Sequence, residues 1–171
     1  MQDKTNFTGV IGALLHEYEV SIADLKHNIE DMPDAVLPVV IDKRTANKDC
    51  VSIQAILTHI VYCGYNYITM MDIHRGNDNS SWPQRHKLAT VTDYCRVLDK
   101  LYEDTCAFFE NVSNSEMQQL EPENKLVTFW GQYYDYEQLM EHAVMHIYRH
   151  RRQIQVFKGL LGSNAVIIAG N

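Results

Sequence analysis

The sequence is short of everything that would staple, anchor or wrap a chain. Its four cysteines, Cys50, Cys63, Cys95 and Cys106, are scattered and form no CxxC pair. That spacing argues against a disulfide scaffold or a cysteine-rich metal module, and for reduced thiols in the cytoplasm. No apolar run approaches the length of a bilayer, so no membrane span is expected. The first twenty residues lack a basic segment followed by an apolar one, so no secretory signal is expected either. With 15 Lys and Arg against 22 Asp and Glu, the net charge of −7 argues against a general nucleic-acid binder, which must displace counterions from phosphate with clustered cations. There is no glycine-rich phosphate loop, no GxSxG elbow and no Ser–His–Asp order. The E-x-x-H pairs of a di-iron bundle are missing as well, because Met140 and Val144 stand three residues after Glu137 and Glu141.

What is present is helical periodicity. The length of 171 residues suits one domain spanning 1–171, and a hydrophobic fraction of 46% is enough to fill its core. Ile11, Leu14, Leu15, Tyr18, Ile22, Leu25 and Ile29 recur at the spacing of an amphipathic helix over residues 8–30. A proline-containing irregular connection follows. Ser52 is a natural N-cap for a second helix reaching about Ile73, with Ile53, Ile56, Leu57, Ile60, Val61, Tyr67, Ile68 and Met71 on one side. Thr90 with Asp93 opens a third helix that carries Val97, Leu98, Leu101, Tyr102, Thr105, Phe108 and Phe109. The stretch LVTFWGQYY has strand propensity and predicts an extended piece or short hairpin, too short to define a sheet. Asp135 with Gln138 opens a fourth helix that should end near Gly159, leaving SNAVIIAGN unassigned. The fold class is therefore all-α, a four-helix bundle with long connecting loops.

The fourth helix contains three of the eight histidines, His142, His146 and His150, four residues apart. Stepping about 100° per residue places His150 inside the stripe of Leu139, Ala143, Ile147, Ile154 and Phe157, and His146 on its flank. His142 falls beside Gln138 and Arg149 and should face solvent. An i, i+4 pair of imidazoles is a natural clamp for a metal ion. Equally, a core-facing histidine is commonly held by a carbonyl or a tyrosine, so spacing leaves both readings open. A third ligand is the usual complement. His16 and His27 point away from the first helix's apolar stripe, and His74 and His86 fall in a loop. His59 lies at the edge of the second helix's stripe, where periodicity permits an inward direction without requiring it. Cys63, one turn on, is a competing ligand by chemistry and a small buried hydrophobe by frequency.

Two segments carry a likeness to a known family. The stretch 52-SIQAILTHIVYCGYNYI-68 resembles the second-helix pattern of the DinB/YfiT-like superfamily, and 141-EHAVMHIYRHRRQI-154 resembles its HxxxHRGQ-type ending. Arg152 stands where that motif has glycine, and His142 is an additional histidine ahead of the pair. The resemblance covers most of the chain. It implies a four-helix bundle of unusual connectivity, often a homodimer, in which His59, His146 and His150 hold a divalent ion, usually zinc or nickel. It further implies a small-molecule substrate. Similar proteins include transferases that use low-molecular-weight thiols such as bacillithiol or mycothiol, and the same ion could serve a hydrolase instead. A helical dimer or small-ligand binder with structural histidines is the alternative reading. Arg149, Arg151 and Arg152 could draw an anionic thiol or a substrate carboxylate, or simply complement the helix C-terminus. Trp82 and Trp130 could roof a pocket or plug the end of a core or a dimer contact. Glu137 and Glu141 are candidate general bases that the wheel turns outward.

Overall fold

The chain is seen in a computed structural model that describes residues 7–77 and 81–169, with side-chain surroundings as far as residue 162. Four helices make up the body: α1 (Gly9–Ile29), α2 (Ile53–His74), α3 (Val91–Phe109) and α4 (Tyr136–Ala169). A two-stranded antiparallel hairpin, β1 (Leu126–Val127) and β2 (Tyr133–Tyr134), precedes α4 in register Leu126 to Tyr134 and Val127 to Tyr133. The all-α bundle expected from periodicity is what forms. Among the described residues, no helix is long and apolar enough to cross a membrane.

Each helix starts where a polar side chain can take up its first free amides. The Ser52 hydroxyl accepts from Ala55 N at 3.1 Å, and the Thr90 hydroxyl accepts from Asp93 N at 3.0 Å. Asp135 and Gln138 form the reciprocal pair at the head of α4, with Gln138 N on Asp135 Oδ1 at 2.9 Å and Asp135 N on Gln138 Oε1 at 3.1 Å. At α1 the cap comes from a distant loop instead. Asn114 Oδ1 accepts from Ile11 N at 3.0 Å while its amide donates to Thr8 O at 3.1 Å.

Helices α1 and α2 each pack against both α3 and α4, so neighbours in sequence are not always neighbours in space. Around the bundle the order is α1, α3, α2, α4, with α1 diagonal to α2 and α3 diagonal to α4. This is why the connections are long: residues 30–52 and 110–135 must each cross an end of the bundle. The first crossing is pinned by fully buried Leu37, whose carbonyl accepts from Gln54 N at 2.8 Å, and by Asp34, which accepts from Val91 N at 2.7 Å.

Two expectations need correction. Helix α4 does not stop near Gly159. Phe157 is buried, Leu161 packs on the core, and Lys158 binds Asn28 O and Asp31 at the end of α1, each at 2.6 Å. These contacts override the glycine signal, and the positive-φ glycines of the described chain are Gly9, Gly76 and Gly131. His74 is the last residue of α2 rather than part of a loop, with its ring 3.0 Å from the Tyr136 hydroxyl.

The α2–α3 loop is tied down by Tyr94, fully buried in α3. Its hydroxyl donates to Gln54 O at 3.2 Å, accepts from Leu88 N at 3.2 Å and lies 2.6 Å from Thr58 Oγ1. Tyr94→Phe removes the hydroxyl that joins these groups and leaves the half-buried Leu88 amide without its acceptor, which costs about 1–3 kcal/mol. Denaturant unfolding should show that loss, and hydrogen exchange should show the Leu88 amide opening faster.

Candidate metal centre

The antiparallel packing of α2 on α4 brings three imidazoles to one point. His59 comes from the first half of α2, and His146 and His150 from successive turns of α4. His59 Nε2 lies 3.1 Å from His146 Nε2, which lies 3.2 Å from His150 Nε2. The donor atoms of all three fall within 4.8 Å of one another. An ion bound 2.0–2.1 Å from each nitrogen with angles near 90–109° requires separations of about 2.9–3.4 Å. Two of the three pairs already meet that spacing.

The outer nitrogens fix which atom faces inward. His59 Nδ1 is 3.2 Å from Asp49 Oδ2, and His150 Nδ1 is 3.1 Å from Gln153 Oε1. Both partners accept, so both Nδ1 atoms carry the proton and both Nε2 atoms present lone pairs. His146 can donate to at most one of them. Three converging nitrogens with at most one proton among them form an electron-rich pocket that suits a cation, with the Cys63 thiol, 3.7 Å from His59 Nε2, as a weak competing donor. The donor set therefore fits a metal ion. Carboxylate and amide partners behind metal-binding imidazoles are the usual support for such a site.

Burial acts in the same sense. Desolvation holds His146 down at about 2, with the His150 and His59 rings adding to it, and holds His150 at about 4. His59 is also depressed, burial outweighing the opposing pull of Asp49. Arg149 adds a smaller repulsion at all three rings. All three imidazoles are thus neutral near pH 7, the form that binds a metal.

The remaining candidates separate cleanly. Cys63 Sγ sits 3.6 and 3.7 Å from the two nitrogens of His59, within the long reach of a sulfur hydrogen bond to the ring. Burial pushes its thiol up to about 11, and it is outside the converging group. His16, His27, His74 and His86 are exposed. The expectation of a solvated His142 does not hold. It is half-buried, stacked on Trp130 at 5.0 Å and 22°, and parallel to His146 at 6.1 Å and 15°. The β1–β2 turn delivers Trp130 to that position, with Tyr67 and Tyr134 edge-on around it. Trp82 is half exposed. Glu141 is exposed, whereas Glu137 is half-buried with Oε2 shielded and unpaired among the described residues. The arginines divide: Arg151 pairs with Asp24 at 3.3 Å, while Arg149 and Arg152 line an open cavity of about 410 Å³ together with Gln153.

Sequence reasoning missed Asp49, Gln153 and Arg85. Gln153 was detectable, since i+3 from His150 places it on the same face. Asp49 lies in the short 3₁₀ turn Lys48–Cys50, and nothing in its surroundings in sequence marks it. Arg85 pairs with the other Asp49 oxygen and stacks over Tyr62 at 4.3 Å, closing the α2–α3 loop onto the back of the site.

The family comparison accords with this geometry. The DinB family model matches residues 1–170. The chain belongs to the DinB family. A search of curated proteins found no match to this DinB-family chain.

The depressed imidazoles set a pH dependence for metal-free protein. Unfolded histidines take up protons below about pH 6.5, whereas the folded ones resist until pH 4 or lower. Below pH 6.5 the unfolded state thus binds more protons. Stability is fully present above that value and is lost as pH falls, on the order of 2–3 kcal/mol by pH 4 for His150 alone. Urea unfolding in chelator should show the decline already between pH 6.5 and 5, where carboxylates remain ionised. His150→Gln should flatten that part of the profile.

Proposed function

We propose that this DinB-family protein is a metal-dependent enzyme acting on a small molecule, with His59, His146 and His150 as ligands to one divalent ion, zinc or nickel. The observation that carries this reading is the convergence of three neutral Nε2 atoms at 3.1 and 3.2 Å spacing, two of them backed by hydrogen-bond acceptors on Nδ1. A ligand set of three neutral imidazoles leaves the ion's charge uncancelled, so it favours the thiolate form of a thiol substrate near neutral pH.

The reaction class we favour is transfer chemistry with a low-molecular-weight thiol as nucleophile, in keeping with the thiol-using relatives that the sequence resembles. In this reading the protein's own residues have distinct duties. Asp49 and Gln153 hold the two outer imidazoles in the correct tautomer. The stacked Trp130 and His142 wall one side of the centre, and the cavity beside Arg149 leaves the other side open to a ligand. A cytoplasmic setting and a homodimeric assembly belong to the same proposal, the former supported by four free thiols.

Protein purified without a histidine tag should contain about one equivalent of zinc or nickel per chain by elemental analysis. His146→Ala should lose it while keeping the helical circular-dichroism spectrum. Absence of metal even after soaking would make the protein a helical binder with structural histidines and overturn the proposal. Asp49→Asn should weaken metal affinity by about 10–100-fold in a chelator competition, because a carboxamide supports the His59 tautomer less strongly. In the metal-loaded protein, thiol-dependent consumption of an electrophilic acceptor is expected, and hydrolysis without added thiol would displace the transferase assignment.

A further inference from the structure

Beside the three-histidine centre lies an open cavity of about 410 Å³, lined by Thr45, Asn47, Arg149, Arg152, Gln153 and Val156 among others. Two features mark it as a place for a ligand. First, Arg149 and Arg152 have no ion-pair partner among the described residues, although acidic side chains outnumber basic ones in the chain. Arg151, between them, does have one in Asp24. An unpaired cation pair on one wall of a concavity is a binding arrangement for an oxyanion, because two guanidinium groups offer paired donors in a fixed plane. Second, the cavity and the histidine centre share a residue. Gln153 lines the cavity and holds His150 by its Nδ1.

Charge balance supports this placement. Asp49, the carboxylate bound to His59, is shared with Arg85 and so is not free to neutralise Arg149. Arg149 directly precedes His150 and stands three residues after His146, so it lies within one turn of both rings. A cation among those rings and the two guanidinium groups together make this side of the molecule positive, which draws an anion to the cavity. The polar groups of Thr45 and Asn47 on the facing loop complete a rim that suits a hydrogen-bonding ligand, with Val156 as an apolar contact.

We propose that Arg149 and Arg152 form an oxyanion subsite that anchors the carboxylate or phosphate of the small-molecule ligand while its reactive end reaches the three-histidine centre. The orientation toward the centre rests on the metal-enzyme reading above; the anion binding itself does not. A ligand anchored in this way carries at least one negative charge set apart from its reacting atom, so neutral analogues should bind poorly.

The subsite is tested by titrating the full chain, metal-loaded and metal-free, with succinate and with inorganic phosphate at low salt, using calorimetry. Saturable binding of at least one anion is expected, weakened about tenfold or more by Arg149→Gln or by Arg152→Gln and also by raised salt. Preference for succinate over phosphate assigns a carboxylate, and the reverse preference a phosphate. Arg96→Gln, which alters an exposed pair on α3, should leave binding unchanged. The proposal is overturned if neither anion binds, or if the two cavity variants bind as tightly as the parent. Failure of the parent chain to take up metal would sink the metal-enzyme reading, and anion binding that persists in that protein leaves the subsite standing.

Discussion

The register of α2 against α4 is the constraint on which the site depends. The two helices run antiparallel and are fastened at points far apart. At one end His74 meets the Tyr136 hydroxyl at 3.0 Å, and at the other His59 meets His146 at 3.1 Å and faces His150 with ring centroids 5.1 Å apart. Fifteen residues of α2 separate those points, about 22 Å at 1.5 Å per residue, and ten to fourteen residues of α4 cover about 15–21 Å. A slip of one turn would move the rings by about 5.4 Å and part them beyond the reach of a common ion. The apolar seam fixes the register, since Ile53, Ile56, Ile60, Leu139, Ala143, Ile147 and Ile154 are all buried and close-packed side chains do not slide.

This register also explains why so much unlike chemistry comes from one turn of α4. Residues 149 to 153 step around the helix by about 100° each. Arg149 and Arg152 therefore face the open cavity, His150 faces the bundle, Arg151 reaches α1 through Asp24, and Gln153 returns to the face of His150. The basic residues close the outside while the inside stays uncharged. Substituting glycine at 152, as in the related HRGQ motif, would remove a cavity arginine without disturbing the core.

Helix beginnings were legible because capping is local: Ser52, Thr90 and Asp135 each bond an amide three residues on. The inward direction of His150 was legible for a similar reason, since its own helix carries the stripe that buries it. His59 was not, because a residue at the edge of a stripe turns inward or outward according to its neighbour. Its meeting with the pair depends on α2 lying beside α4, an adjacency that no single segment encodes. His142 was misjudged because its cover, Trp130, arrives from a hairpin. The end of α4 was misjudged because Lys158 and Phe157 make contacts outside their own helix that outweigh the glycine signal.

Asp49 shows how the irregular segment contributes what the helices cannot. Helix α4 supplies its own acceptor behind His150 in Gln153, whereas the acceptor behind His59 comes from outside the helical wall. The crossing loop 30–52 is needed anyway, because α1 and α2 are diagonal. Its path lays the turn Lys48–Cys50 against the start of α2, where Asp49 reaches His59 and Arg85 at once. The same path brings Thr45 and Asn47 to the rim opposite Arg149 and Arg152. The unusual connectivity thus supplies two things that short loops would lack: a carboxylate to set the tautomer of one ring, and a second wall for the cavity beside it.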